Sequence, residues 1–123
     1  MGPQPLVAVV DDDESVRESL PDLLRELGYA ATAFESAEGL LAFDRVPDAR
    51  CLILDIAMPG MSGPELHREL ARQGHTIPVI FITALAEQSR PPGLLQDGAV
   101  ACLSKPFSER DLRIALAAAL PGT

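Results

Sequence analysis

Lysine is nearly missing from this chain of 123 residues: nine of its ten basic side chains are arginine, and Lys105 is the single lysine. A compact ammonium on a flexible stem differs chemically from a planar guanidinium fork, which makes Lys105 a residue to watch. Basic charge is scarce too, with 10 basic against 18 acidic residues and a net charge of −8. That balance argues against a domain that grips nucleic acid by itself. Long hydrophobic runs are absent; the longest are far too short to span a bilayer, so no membrane association is expected. Met1-Gly2-Pro3-Gln4-Pro5 has no basic region, and the apolar stretch after it runs into acid, unlike a secretory signal. Only two cysteines occur, Cys51 and Cys102, and both lie in apolar, strand-like runs. Buried thiols in a cytoplasmic protein are expected rather than a disulfide, and no Cys/His cluster has zinc spacing.

What is present is a globular chain of single-domain length, spanning residues 1–123, with 47% hydrophobic residues, too many for disorder. Leu6-Val7-Ala8-Val9-Val10 is an apolar run ending in Asp11-Asp12-Asp13-Glu14, and reads as a strand buried on both faces. Val16, Leu20, Leu23, Leu24 and Leu27 then recur at helical spacing up to Gly28, with Pro21 expected to kink that helix or break a hydrogen bond. A short second strand covers residues 29–34. Ser36 has the character of an N-cap for a helix carrying Leu40, Leu41 and Phe43. Pro47-Asp48-Ala49 is a turn before a third strand, Cys51-Leu52-Ile53-Leu54, which ends at Asp55. Ser62-Gly63-Pro64-Glu65 has the spacing of a capping box, and Leu66 and Leu70 give the third helix its inward face up to Gly74. Residues 78–82 form a fourth strand ending at Thr83-Ala84. A fourth helix over residues 87–97 is expected to be shortened or irregular, because Arg90-Pro91-Pro92-Gly93 interrupts it. Residues 98–104 form strand five, ending at Lys105-Pro106, and Ser108 caps a last helix with Leu112, Ala115, Leu116 and Ala119 inward. Pro121-Gly122 closes the chain.

Strands alternating with helices predict a doubly wound α/β fold, a five-stranded parallel sheet with helices on both faces. Asp11 and Asp12, Asp55, Thr83 and Lys105 each fall where a strand ends, and in a parallel sheet those ends share one edge. Three carboxylates gathered there repel one another unless a cation sits among them. An all-oxygen ligand set favours a hard ion, Mg²⁺ first. Three carboxylates, a divalent cation and one ammonium sum to zero, a balanced site able to receive a phosphoryl group.

The motifs Val-Val-Asp-Asp-Asp at 9–13, Leu-Asp-Ile-Ala-Met-Pro-Gly-Met-Ser-Gly at 54–63, Ile-Thr-Ala at 82–84 and Lys-Pro-Phe at 105–107 stand in order at strand ends. With them the chain resembles a response-regulator receiver domain of bacterial two-component signalling, over nearly its whole length. The resemblance implies a flavodoxin-like fold with strand order 2-1-3-4-5. It implies that Asp55 accepts a phosphoryl group from the phosphohistidine of a histidine kinase or phosphotransfer protein. Asp12, Asp55 and the backbone carbonyl of Ala57 would hold Mg²⁺ directly, and Asp11 through water. Lys105 would pair with Asp55 and then with the phosphoryl oxygens. Thr83 would offer its hydroxyl to the phosphoryl group and move inward when it arrives, and Ala84 would share the phosphoryl-binding position. The Lys105–Pro106 peptide would be cis.

Two departures from the family pattern fall on one flank. The position three before the lysine is usually Tyr or Phe in the family; here it is Cys102, with no ring to reorient. The proline-rich interruption of helix four is the second. The transfer chemistry is expected intact and the output altered: a switch through helix-four order, a homodimer on the face of helix four, strand five and helix five, or a phosphate relay or sink. His67 and His75 are expected as a solvated and a loop histidine, without a role, and Asp13 and Glu14 as acids at a helix N-terminus. Ser36-Ala37-Glu38 and Lys105-Pro106-Phe107 are similar to regulators of the nitrogen-fixation type, which also carry a DNA-binding domain. A haloacid-dehalogenase-like aspartyl phosphatase also uses a strand-end Asp, Mg²⁺, Thr/Ser and Lys. Here Ser15 stands where its motif wants Thr or Val, and no late acidic pair follows. A binding-only pseudo-receiver would typically lack one of the five site residues. No independent substrate turnover is expected.

Overall fold

The computed structural model describes residues 4–86, 89–96 and 98–121. Five parallel strands form one sheet in the order β2-β1-β3-β4-β5. They are β1 Leu6–Val10, β2 Ala30–Phe34, β3 Ala49–Asp55, β4 Val79–Thr83 and β5 Ala99–Ser104. The described helices are α1 Glu14–Glu26, α2 Ala37–Leu41, α3 Gly63–Arg72 and α4 Glu109–Ala119, with a 3₁₀ turn at Val46–Asp48. The last helix, expected as the fifth, is therefore α4.

The side-chain alternation of a strand divides the core into two. Ala8, Val10, Leu52, Leu54, Val79 and Phe81 face α2 and α3, where Leu40, Leu66 and Leu70 close over them. Val7, Val9, Cys51, Ile53, Ile80 and Ile82 face α1 and α4, beneath Leu20, Leu24, Leu112 and Leu116. Continuous apolar runs are what strands covered on both faces require, and β1 and β4 are buried along their whole length. The edge strands β2 and β5 remain largely half-exposed.

Local chemistry sets the helix ends. Asp13 caps α1 by accepting from Ser15 N; Ser36 caps α2 from Gly39 N, and Ser108 caps α4 from Asp111 N. The capping box of α3 is complete: the Ser62 side chain accepts from Glu65 N while the Glu65 carboxylate accepts from Ser62 N. Gly28 and Gly74, just past the ends of α1 and α3, have φ of 102° and 92°, which favours glycine. Pro21 does not end α1; it is buried and the helix continues through it, without the N–H that would bond the Arg17 carbonyl.

Several expectations change. Val46–Asp48 is a 3₁₀ turn rather than a plain turn, and β3 begins at Ala49. The second helix lasts only five residues, and Phe43 lies beyond it with its ring 5.1 Å from that of Phe34. Between β4 and β5 no α-helix forms among the described residues; residues 92–96 are turns, as two prolines and a glycine dictate. Residues 87, 88 and 97, which include both limits of the expected fourth helix, lie outside the described residues, as do residues 1–3 of the N-terminal segment and Gly122. His67 is half-buried rather than solvated, with its ring edge-on to Phe81 at 5.9 Å.

Candidate phosphoryl-transfer site

The parallel sheet brings the predicted residues to its carboxyl edge. Asp11 follows β1 and is fully buried; Asp55 ends β3 at 4% exposure; Thr83 ends β4, fully buried. Asp12 is exposed. Carboxylate oxygens of Asp11, Asp12 and Asp55 lie within 4.8 Å of one another. Lys105, just past β5, places Nζ 2.7 Å from Asp11 Oδ2 and 3.6 Å from Asp55 Oδ2. The closer partner is thus Asp11, where the family resemblance implied Asp55. The Lys105–Pro106 peptide bond is cis.

Backbone contacts lock these positions. Asp13 N donates to Asp11 Oδ1 at 2.9 Å, and Arg17 Nη1 donates to the Asp11 carbonyl at 3.0 Å. Lys105 N donates to Thr83 O at 2.7 Å, tying the lysine to the end of β4. Thr83 Oγ1 accepts from Leu85 N at 2.9 Å. Ala57 and Ala84 are exposed in the bends after β3 and β4. Cys102 lies half-buried within β5, paired in register with Phe81, and burial raises its thiol pKa. Cys51 is buried in the sheet, and burial pushes its thiol up to about 12. Both cysteines are free.

Gly63 is a constraint that its place in a motif did not explain. A Cβ there would sit 2.3 Å from the Asp55 carbonyl oxygen, so α3 can start this close to the end of β3 only with glycine. Gly63 N also donates to Ile56 O at 3.0 Å. The clash is a contact between two backbones, invisible in composition or periodicity.

The electrostatics are those of a site with too much negative charge. Burial, and then the charge of Asp11, raises Asp55 to about 7, with Lys105 opposing the rise. Burial pulls the Lys105 ammonium down, but its contact with Asp11 and the charges of Asp11, Asp55 and Asp13 leave it above its usual value. Buried Asp11 Oδ2 has the Lys105 ion pair yet no partner in hydrogen-bonding geometry among the described residues. Three carboxylates within 4.8 Å of one another, two of them buried and offset by a single ammonium, fit a hard divalent cation.

The chain belongs to the response regulator receiver domain family, whose family model matches residues 7–117. It is 41% identical over 114 residues to nodulation protein W of Bradyrhizobium diazoefficiens, covering 93% of this chain and 50% of that protein. With the transcriptional regulatory protein FixJ of Azorhizobium caulinodans the identity is 38% over 114 residues, covering 93% and 54%. Among solved structures, a response regulator receiver protein from Burkholderia phymatum superposes with a TM-score of 0.81 at 40% identity, covering 95% of each chain. The structure titled FixJ-N gives 0.82 at 36% identity, covering 100% of this chain and 98% of that one. The chain spans about half the length of the curated relatives it matches. Receiver domains of response regulators are signalling domains of bacterial two-component systems. They bind Mg²⁺ at an acidic pocket, and this chain has the aspartate cluster for it.

Proposed function

We propose that this domain accepts a phosphoryl group on Asp55 in a Mg²⁺-dependent reaction with a histidine kinase or phosphotransfer protein. The observation that carries the reading is the cluster itself: three carboxylates within 4.8 Å at one sheet edge, with Lys105 against two of them. Asp12, Asp55 and the Ala57 carbonyl would hold the cation directly, and Asp11 through water. The ion supplies charge neutralisation for the incoming phosphoryl oxygens. Catalysis then consists of positioning and charge compensation, as phosphoryl transfer generally requires. Lys105 stays anchored on Asp11, free to swing its remaining donors from Asp55 to the phosphoryl oxygens. Thr83 already accepts from Leu85 N, so its own hydroxyl proton remains available to donate.

The partner's approach is supported by a cavity of about 630 Å³ between α1 and the segment after β5. Val16, Leu20, Leu23 and Phe107 make it apolar, and Lys105 also lines it. The amphipathic helix of a kinase or phosphotransfer protein fits such a groove. On the output flank Cys102 has no ring to turn, so the readout runs through the β4–β5 segment, or through self-association on β5 and α4, where Ile114 is 59% exposed.

Intact mass after incubation with acetyl phosphate tests this reading. One phosphoryl group should be gained with Mg²⁺ and not with chelator, and Asp55→Asn should gain none. No gain in a protein that also fails to bind beryllofluoride would leave a binding-only module instead.

A further inference from the structure

Among the described residues of the segment that replaces the expected fourth helix, Leu85 and Leu94 pack against the core and one side chain hydrogen-bonds to β5. From residue 90 the Arg90 guanidinium reaches back over β5, and its Nη2 donates to Ser104 Oγ. Its charge also reaches the Cys102 thiol, two residues earlier on the same face of the strand. Arg90 Nε, by contrast, is buried with no hydrogen-bond partner among the described residues. The tether is thus one hydrogen bond from a charged group that leaves another of its donors unpaired. A contact of that kind favours the closed position only modestly, because opening lets water satisfy the orphaned donor.

The tether ends where the acceptor site begins. Ser104 pairs in register with Thr83, and the next residue, Lys105, donates its N–H to Thr83 O at 2.7 Å. At the other end of the segment Leu85 N is held by Thr83 Oγ1. Thr83 therefore contacts one end of the 84–98 segment directly, and β5, to which Arg90 is tied, through its strand pairing. A displacement of Thr83 toward Asp55 pulls on Leu85, while the Arg90–Ser104 bond resists.

We propose that Arg90 and Ser104 form a latch, which holds the β4–β5 segment against β5 in the unphosphorylated domain and opens when the acceptor site is filled. The latch supplies the two-position element that Cys102, lacking a ring, does not. It rests on the reading of Asp55 as phosphoacceptor. A latch that stabilises the empty form weakens the binding of any phosphoryl mimic by the same factor, and removing it restores that affinity.

Beryllofluoride titration in Mg²⁺, followed through the amide resonances of Leu85 and Ser104, reads this directly. Arg90→Gln and Ser104→Ala should each tighten the apparent affinity about three- to tenfold, the size of one such hydrogen bond. The double variant should tighten it no further, since both remove one interaction, and Ser104→Thr should behave as wild type. Amide hydrogen exchange over residues 84–98 should be faster in Arg90→Gln without ligand, and the wild type should reach that rate when beryllofluoride binds. Affinities that move less than about twofold, or single effects that simply add, would overturn the latch while leaving the acceptor site intact. Absence of Mg²⁺-dependent saturation in the wild type would overturn the acceptor reading, and the latch with it.

Discussion

Replacing Asp55 by asparagine should make the metal-free domain more stable, although it removes the residue on which the proposed chemistry depends. Asp55 is 4% exposed, and burial together with the neighbouring Asp11 raises its pKa to about 7. An unfolded aspartate titrates near 3.8. Between those two values the folded state holds a proton that the unfolded state has lost. Stability therefore falls as pH rises from about 4 to about 7 and levels off above. A gap of roughly three units at ~1.4 kcal/mol each sets a ceiling of about 4 kcal/mol on the cost of ionising Asp55 in the fold. Relaxation of the site and water entry trim it, so Asp55→Asn should gain on the order of 2–4 kcal/mol at about pH 8 and close to nothing near pH 4. For a chain of this length each kcal/mol moves Tm by about 3–5 °C. The sequence contains no tryptophan, so urea unfolding followed by far-UV circular dichroism, in chelator, is the suitable assay. Equal gains at about pH 4 and about pH 8, or a variant less stable than wild type at about pH 8, would refute the electrostatic reasoning. Added Mg²⁺ should shrink the difference by stabilising the wild type alone.

Gly63→Ala forces a Cβ against the Asp55 carbonyl and should cost about 1–3 kcal/mol by urea unfolding, with weakened Mg²⁺ affinity because the end of β3 must shift. Ser62→Ala removes one half of the capping box and should cost about 1 kcal/mol while leaving acetyl phosphate labelling unchanged. Lys105→Met leaves Asp11 buried without its ion pair and should destabilise the domain by about 3 kcal/mol near neutral pH, measured by the same unfolding assay. Cys51, buried with its thiol raised to about 12, should resist maleimide in the native state, and mass mapping should find label on Cys102 first.

The parts of this structure that follow from periodicity and turn chemistry were legible in the amino-acid sequence. Strands buried on both faces appear as unbroken apolar runs, and Ser36, Ser62 and Ser108 announce helix starts because their hydroxyls satisfy backbone N–H groups that nothing else reaches. The convergence of Asp11, Asp12, Asp55, Thr83 and Lys105 followed from placing each at the end of a parallel strand. What stayed hidden depends on tertiary contact. The preference of Lys105 for Asp11 over Asp55 is a matter of distances across three strands. The half-burial of His67 depends on Phe81 of β4, whose ring it meets edge-on. Gly63 needed the end of one strand set against the start of one helix. The Arg90–Ser104 contact joins the turns after β4 to the end of β5, 14 residues on, and leaves no periodic trace.

The central claim is that Asp55 carries the phosphoryl group, and locating the acyl phosphate tests it most directly. Protein treated with acetyl phosphate and Mg²⁺ would be reduced with borohydride, which converts an aspartyl phosphate to homoserine, and its peptides sequenced by mass spectrometry. The account predicts conversion at Asp55 alone. Conversion at Asp11, Asp12 or any other carboxylate, with Asp55 unchanged, would contradict it.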